Sequence, residues 1–89
     1  ECMQVVICYD TGNDKLRYRL VKYLERMAVR IQYSVFYGDV EKAQIEKLQQ
    51  FAEMLFQSYK DEGASLLVFP IRDCDWKNKP NLSADCLYI

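Results

Sequence analysis

The sequence predicts an α+β domain in which two helices cover one face of an antiparallel sheet. Three observations carry that prediction. Short apolar runs at Val5-Val6-Ile7-Cys8-Tyr9 and Ser65-Leu66-Leu67-Val68-Phe69, the first rich in β-branched residues, read as buried strands. Two longer stretches repeat apolar residues at three- and four-residue steps, as amphipathic helices do. Between them, residues 29–37 alternate in the manner of an extended chain. The 89 residues make one domain, 1–89, with its core at about 3–72 and a C-terminal segment at 73–89.

The first strand ends abruptly at Asp10 and is followed by the turn cluster Thr11-Gly12-Asn13-Asp14. A strand buried on both faces lies inside a sheet. It therefore delivers Asp10 to the sheet's carboxyl-terminal edge, where sites are often built. Asp is also a common turn starter, and that reading stands beside the functional one.

Asn13 or Asp14 caps a helix that is expected to run to about Ala28, with Leu16, Leu20, Tyr23, Leu24 and Met27 facing the core. At about 100° per residue, Lys15, Arg19, Lys22 and Arg26 fall in a stripe about 60° wide, and Arg17 lies on the opposite flank of the apolar face. A stripe of this kind is either a solvated helix surface or a surface for an anionic partner.

In Val29–Tyr37, Ile31, Tyr33, Val35 and Tyr37 share one face and Arg30, Gln32, Ser34 and Phe36 the other. The stretch is one strand, or two with a tight break near Tyr33-Ser34; it lacks the Asn-Gly of a strong hairpin. Gly38-Asp39 is expected to end it, with Asp39 capping a second helix from about Val40 to Tyr59. The core face of that helix is Ile45, Leu48, Ala52, Leu55, Phe56 and Tyr59; Phe51 lies off it, available to a partner. Gly63 is the expected left-handed residue after the helix. Pro70 fits the end of an edge strand. Beyond Ile71 the chain becomes a polar loop containing Trp76. Cys86-Leu87-Tyr88-Ile89 is either an extra strand that pairs with another subunit or a frayed end. With the middle stretch split, the order is the ferredoxin-like β-α-β-β-α-β plan.

Half of the residues are apolar and seven are Tyr, a globular composition. The short chain buries a modest fraction of its surface, which favours dimerisation. Its apolar runs are too short for a bilayer and no leader opens it, so the expectation is a cytoplasmic protein with no membrane partner. Four Cys, no C-x-x-C pair and no His argue against a zinc site. Cys8 reads as a small hydrophobe, and a Cys74–Cys86 disulfide is an open alternative to free thiols. The net charge of −1 conceals an uneven distribution. Residues 1–38 hold six Lys/Arg against four Asp/Glu, and residues 39–89 hold six against nine. Clustered basic charge matters more to a phosphate backbone than the total.

Tyr9-Asp10 closing the first strand, Arg17 and Arg19 in the next helix, and Arg30-Ile31-Gln32-Tyr33-Ser34-Val35-Phe36 followed by Gly38 resemble the CRISPR-associated protein 2 family. This is the small subunit of spacer acquisition, whose members are also known as endoribonucleases. The resemblance covers roughly residues 3–72. Where the family has an acidic residue between Phe and Gly, this chain has Tyr37.

The resemblance implies a ferredoxin-like homodimer whose two Asp10 carboxylates face each other across a two-fold axis and hold one Mg²⁺ or Mn²⁺. It also implies that the dimer bridges the CRISPR integrase along duplex prespacer DNA, and that cleavage of RNA or DNA occurs in some members. By position, Asp10 would be the catalytic metal ligand, while Tyr9, Arg17, Arg19, Arg30 and Phe36 match positions of activity or substrate contact. Lys15, Lys22 and Arg26 extend the nucleic-acid surface through their charge. A metal there would polarise the scissile phosphate, and with no His in the chain no imidazole base is available.

The competing readings are a metal-dependent phosphodiesterase, a non-catalytic scaffold for DNA and integrase, a toxin-type ribonuclease of the virulence-associated D family, and a ferredoxin-like binding module for small ligands. The Q-Y-S-V-F run argues against the toxin. A basic helix that contacts DNA gives strongly salt-dependent binding. Reversing Arg19 and Lys22 to Glu is expected to weaken duplex binding and to lower the slope of log affinity against log salt by about 2, because each lost phosphate contact removes about 0.9. Titration by fluorescence anisotropy at several salt concentrations checks this, and unchanged affinity in a folded variant removes this face from the DNA surface.

Overall fold

The computed structural model describes residues 2–71. Its elements are β1 (Cys2–Asp10), α1 (Asp14–Leu24), β2 (Val29–Gln32), β3 (Val35–Glu41), α2 (Lys42–Ser58) and β4 (Ser65–Ile71). The strands form one antiparallel sheet in the order β2-β3-β1-β4, so β1 is interior as its sequence predicts. The architecture is the ferredoxin-like β-α-β-β-α-β plan. Expectations for the 73–89 segment, including the packing of Trp76, the Cys74–Cys86 alternative and the C-terminal strand, lie outside the described residues. No described helix is long and apolar enough to cross a membrane.

Alternation along the strands divides the sheet. Val5, Ile7 and Tyr9 of β1 and Phe36 and Val40 of β3 join Leu16, Leu20, Leu24, Leu48, Ala52 and Leu55 of the helices in one buried cluster. Removing these apolar side chains from water is the main force that holds helices to sheet. Tyr23 and Phe51 stack at 4.5 Å and 16°. Phe51 therefore meets α1: three residues past Leu48, it is turned about 60° from it, onto the seam between the helices.

Several boundaries differ from the sequence expectation for one connected reason. β1 begins at Cys2 rather than Val5, and its ladder with β3 runs through Val5–Gly38 and Met3–Val40 to Cys2–Glu41. Gly38 thus sits inside β3 and does not end it. A Cβ there would come within 2.9 Å of the Met27 carbonyl oxygen and 3.0 Å of Ala28 Cβ. The glycine permits this close approach. The same approach requires the chain to leave α1 early. The helix ends at Leu24, not Ala28, and tightens through Arg26 N–H to Tyr23 O (3.2 Å) and Met27 N–H to Leu24 O (3.0 Å). Because β3 runs on, the cap of α2 is Glu41 rather than Asp39, and the Glu41 N–H donates to Gln44 Oε1 at 2.8 Å.

After α2 the left-handed position falls on Lys60 (φ 55°), not on Gly63. Asp61 N–H bonds Phe56 O at 3.0 Å and Lys60 N–H bonds Gln57 O at 3.2 Å, the two bonds of a Schellman ending. The core register of α2 fixes where it stops, and Lys60 occupies the position that glycine would fill at lower cost. Among the described residues β4 pairs only with β1, so Pro70 stands there on an edge strand, where its missing N–H is tolerated.

The ambiguous middle stretch is two strands joined by a two-residue turn at Tyr33-Ser34, with an irregularity between Arg30 and Gln32. Among the described residues Lys60 is the one non-glycine with positive φ, so this is not a primed hairpin turn. Its carbonyls are held instead by β1: Tyr9 N–H donates to Ser34 O at 3.1 Å and Tyr9 O–H to Tyr33 O at 3.2 Å.

Candidate nucleic-acid interface

The site grows from Tyr9, the last buried residue of β1. Its main chain and side chain both grip the β2–β3 turn, and its ring lies 6.4 Å from that of Phe36. Burial pushes the Tyr9 phenol above its ordinary value of 10.0; the hydrogen bond and positive charge of Arg30 pull the other way without cancelling it.

Two guanidiniums converge on the turn. Arg30 of β2 lies opposite Phe36 and stands 5.5 Å from the Phe36 ring centre and 5.9 Å from that of Tyr33. Arg17 reaches across from α1. It donates to the Thr11 carbonyl at 2.7 Å, pairs with the Asp14 carboxylate, and stands 5.7 Å from the Tyr33 ring centre. These are cation–π distances. Tyr9, Arg17, Arg30 and Phe36, all predicted site residues, are thus brought together around a residue that sequence reasoning did not single out. In the sequence Tyr33 is one member of a strand face. The signal for it lay in the turn itself: an aromatic at a hairpin tip is left exposed, and Tyr33 is 67% exposed.

The loop after β1 is built on Thr11, which is buried. Its hydroxyl donates to the Asp61 carboxylate and accepts the Asn13 N–H at 3.2 Å. Asn13 Oδ1 in turn accepts the Leu16 N–H at 3.0 Å, the expected cap of α1. The start of α1 and the turn after α2 are therefore tied together through Thr11.

Asp10 itself is exposed. Strand alternation places it on the side of Val6 and Cys8, opposite Tyr9, so it does not join the arginine–tyrosine cluster. Lys15, Arg19 and Lys22 are exposed along α1, and Arg26 is exposed in the turn beyond it. Lys22 stands 3.9 Å from Glu25 and 5.4 Å from the Tyr18 ring centre. The predicted residues thus divide into three places: the cluster at the turn, the helix stripe, and the strand end. Among the described residues no group of three or more His, Cys, Asp or Glu side chains converges to hold a metal.

The sheet face that bears Asp10 carries two apolar rows. Phe69, Val6, Tyr37 and Val29 are successive partners across the four strands, and Leu67, Cys8 and Val35 across three. Val29, Leu67 and Phe69 are 66%, 53% and 45% exposed. Gln4 Oε1 on this face is buried without a hydrogen-bond partner among the described residues.

Fold and site together define a small ferredoxin-like domain with a basic, aromatic surface where its first strand ends. The family model of CRISPR associated protein Cas2 matches residues 3–79, and the chain belongs to that family. It is 35% identical over 66 residues to "CRISPR-associated endoribonuclease Cas2 3" of Synechocystis, covering 74% of this chain and 68% of that protein. It is 36% identical over 66 residues to "CRISPR-associated endoribonuclease Cas2 1" of Nitrosomonas europaea, covering 74% of this chain and 60% of that one. A solved Cas2 structure superposes with a TM-score of 0.68 at 28% identity, covering 80% of this chain and 76% of the other. A chain of a partial Cas6-RT-Cas1–Cas2 complex superposes with a TM-score of 0.73 at 22% identity, covering 81% of each chain.

The Tyr9 geometry fixes a pH dependence. The folded state holds the Tyr9 proton more tightly than the unfolded chain, so this stabilisation is complete below the unfolded pKa of 10.0 and is lost as pH rises above it. Tyr9→Phe is expected to cost about 1 kcal/mol at neutral pH through the lost bond to Tyr33 O, and to flatten the alkaline fall in stability. Urea denaturation at pH values on both sides of that pKa checks both.

Proposed function

We propose that this protein is a CRISPR adaptation subunit that acts as a homodimer, binds duplex prespacer DNA, bridges the CRISPR integrase, and cleaves nucleic acid in a metal-dependent way at Asp10. Family membership supports the adaptation role, the relatives named endoribonuclease support the nuclease activity, and the Cas1–Cas2 assembly supports an integrase partner. The observation that carries the reading is the arrangement at the end of β1: an exposed carboxylate on the apolar sheet face, with the Arg17–Arg30–Tyr33 cluster on the opposite side of the sheet.

The sheet face supports the homodimer. Two-fold packing of its apolar rows would remove Val29, Leu67 and Phe69 from water and bring the two Asp10 residues to one interface. The donor set then fits a hard cation. A single chain offers one carboxylate, too few for an ion that takes six oxygens. Two carboxylates with waters and a substrate phosphate are a usual Mg²⁺ set, and Mn²⁺ accepts the same donors. When bound, such an ion withdraws charge from the scissile phosphate and acidifies water.

The chain's own residues do the rest. Tyr9 fixes the turn, so Arg30 is presented from a set position. Arg17 spends two contacts on Thr11 and Asp14, which orients its fork, and its remaining donors would meet phosphate. Lys15, Arg19 and Lys22 supply charge along α1 for a duplex backbone. A non-catalytic scaffold is the second reading. It is favoured by one observation: Asp10 lies on the opposite side of the sheet from the Arg17–Arg30–Tyr33 cluster, so those cations do not flank the carboxylate.

Asp10→Asn keeps the shape of the side chain and removes its charge. With labelled single-stranded RNA and duplex DNA, the wild-type protein is expected to cleave with Mg²⁺ or Mn²⁺ and to stop with EDTA. The variant is expected to lose at least about a hundredfold in rate, the scale on which removal of one electrostatic group acts. Equal rates in both proteins would remove Asp10 from the chemistry. No cleavage by the wild type under any of these conditions would leave the scaffold.

A further inference from the structure

Tyr33 has a combination of properties that core packing does not require. Its ring stands at a hairpin tip and remains 67% exposed. Its carbonyl, and that of Ser34 beside it, are fixed by Tyr9, so the main chain beneath the ring is anchored while the ring is left open. Guanidiniums from two different elements, Arg17 of α1 and Arg30 of β2, stand within 6 Å of the ring centre at 5.7 and 5.9 Å. An exposed tyrosine has a conformational cost to being ordered and none of the gain of burial. A rigid aromatic ring flanked by two forked cations instead matches one kind of ligand: a flat π-system carrying an adjacent anion.

We propose that Tyr33 is a stacking platform for an unpaired nucleobase, with Arg30 and the free donors of Arg17 taking the phosphates on either side. The ligand is a single-stranded nucleotide segment, because the faces of bases inside a duplex are covered by their neighbours. This rests on the nucleic-acid reading above and adds a second mode to it. The stripe on α1 meets a continuous backbone, and the β2–β3 tip holds a strand where pairing stops. Stacking is tolerant of base identity, since every base has a π-face, and the site gives little sequence preference. Single-stranded DNA beside a duplex and single-stranded RNA offer the same chemistry, and the experiment separates them.

The test is binding of three probes to the full chain: an oligothymidylate carrying one 2-aminopurine, the oligouridylate equivalent, and a blunt DNA duplex. Stacking of 2-aminopurine on Tyr33 quenches its emission. With the wild type, quenching is expected with at least one single strand, and that strand identifies the source of the base. Tyr33→Ala is expected to weaken single-strand affinity about tenfold, the scale of one lost base–aromatic stack, and to abolish the quench. Tyr33→Phe is expected to restore both. The hydrogen bonds from Tyr9 go to main-chain oxygens, so both variants keep the turn. Absence of quenching with either strand, or unchanged single-strand affinity in Tyr33→Ala, overturns the platform while duplex binding stands. Loss of duplex binding by the wild type itself overturns the broader nucleic-acid reading instead.

Discussion

The interaction on which the rest of this structure depends is the double grip of Tyr9 on the β2–β3 turn. A two-residue hairpin without a primed turn has no local reason to close. Here the interior strand closes it from outside, by one main-chain and one side-chain hydrogen bond. The arginine–tyrosine cluster follows from that closure. It sets Arg30 opposite Phe36, places the Tyr33 ring at the tip, and brings the tip under the reach of Arg17. The same strand continues one residue further and delivers Asp10 to the other side of the sheet. One element thus supplies the core, the anchor of the turn and the carboxylate.

A consequence is that the two faces of the sheet have separate tasks. The helix face is satisfied internally by a packed apolar cluster. The opposite face carries apolar rows in which Val29, Leu67 and Phe69 are exposed and open to another surface. On the proposed reading that surface is a second copy. The site is then composite: its acid lies at the interface, while its cations lie on helix surfaces and hairpin tips that stay outside. Such a division suits a protein that must hold an extended anionic partner along its exterior and keep any bond-breaking chemistry at the centre.

Much of this was legible in the sequence. The order of elements, the interior position of β1, the Asn13 cap and the core faces of both helices follow from periodicity and from the β-branched runs. Most of what was misread concerns glycines and turns. Gly38 looked like a stop and is a site of close approach to Met27 and Ala28. Gly63 looked like the left-handed residue, yet the packing register of α2 put Lys60 there. Phe51 looked spare and stacks on Tyr23. Each error has the same cause: tertiary contacts between distant segments decided a local question. In the site, composition and resemblance pointed to Tyr9, Arg17, Arg30 and Phe36. Neither could show that Arg17 is partly engaged by Thr11 and Asp14, that Thr11 and Asp61 join two loops, or that Tyr33 is the centre of the cluster. The last depends on the turn, which the sequence left open, and the others on how the loop after β1 folds.

The central claim is that Asp10 acts as one half of a metal site shared between two chains. Manganese binding followed by electron paramagnetic resonance tests it most directly, because free and bound Mn²⁺ are counted separately and no substrate is needed. The account predicts one tightly held ion for every two chains, and its loss in Asp10→Asn with the dimer intact by sedimentation. One ion per chain, or an ion that remains when Asp10 is replaced, would contradict it.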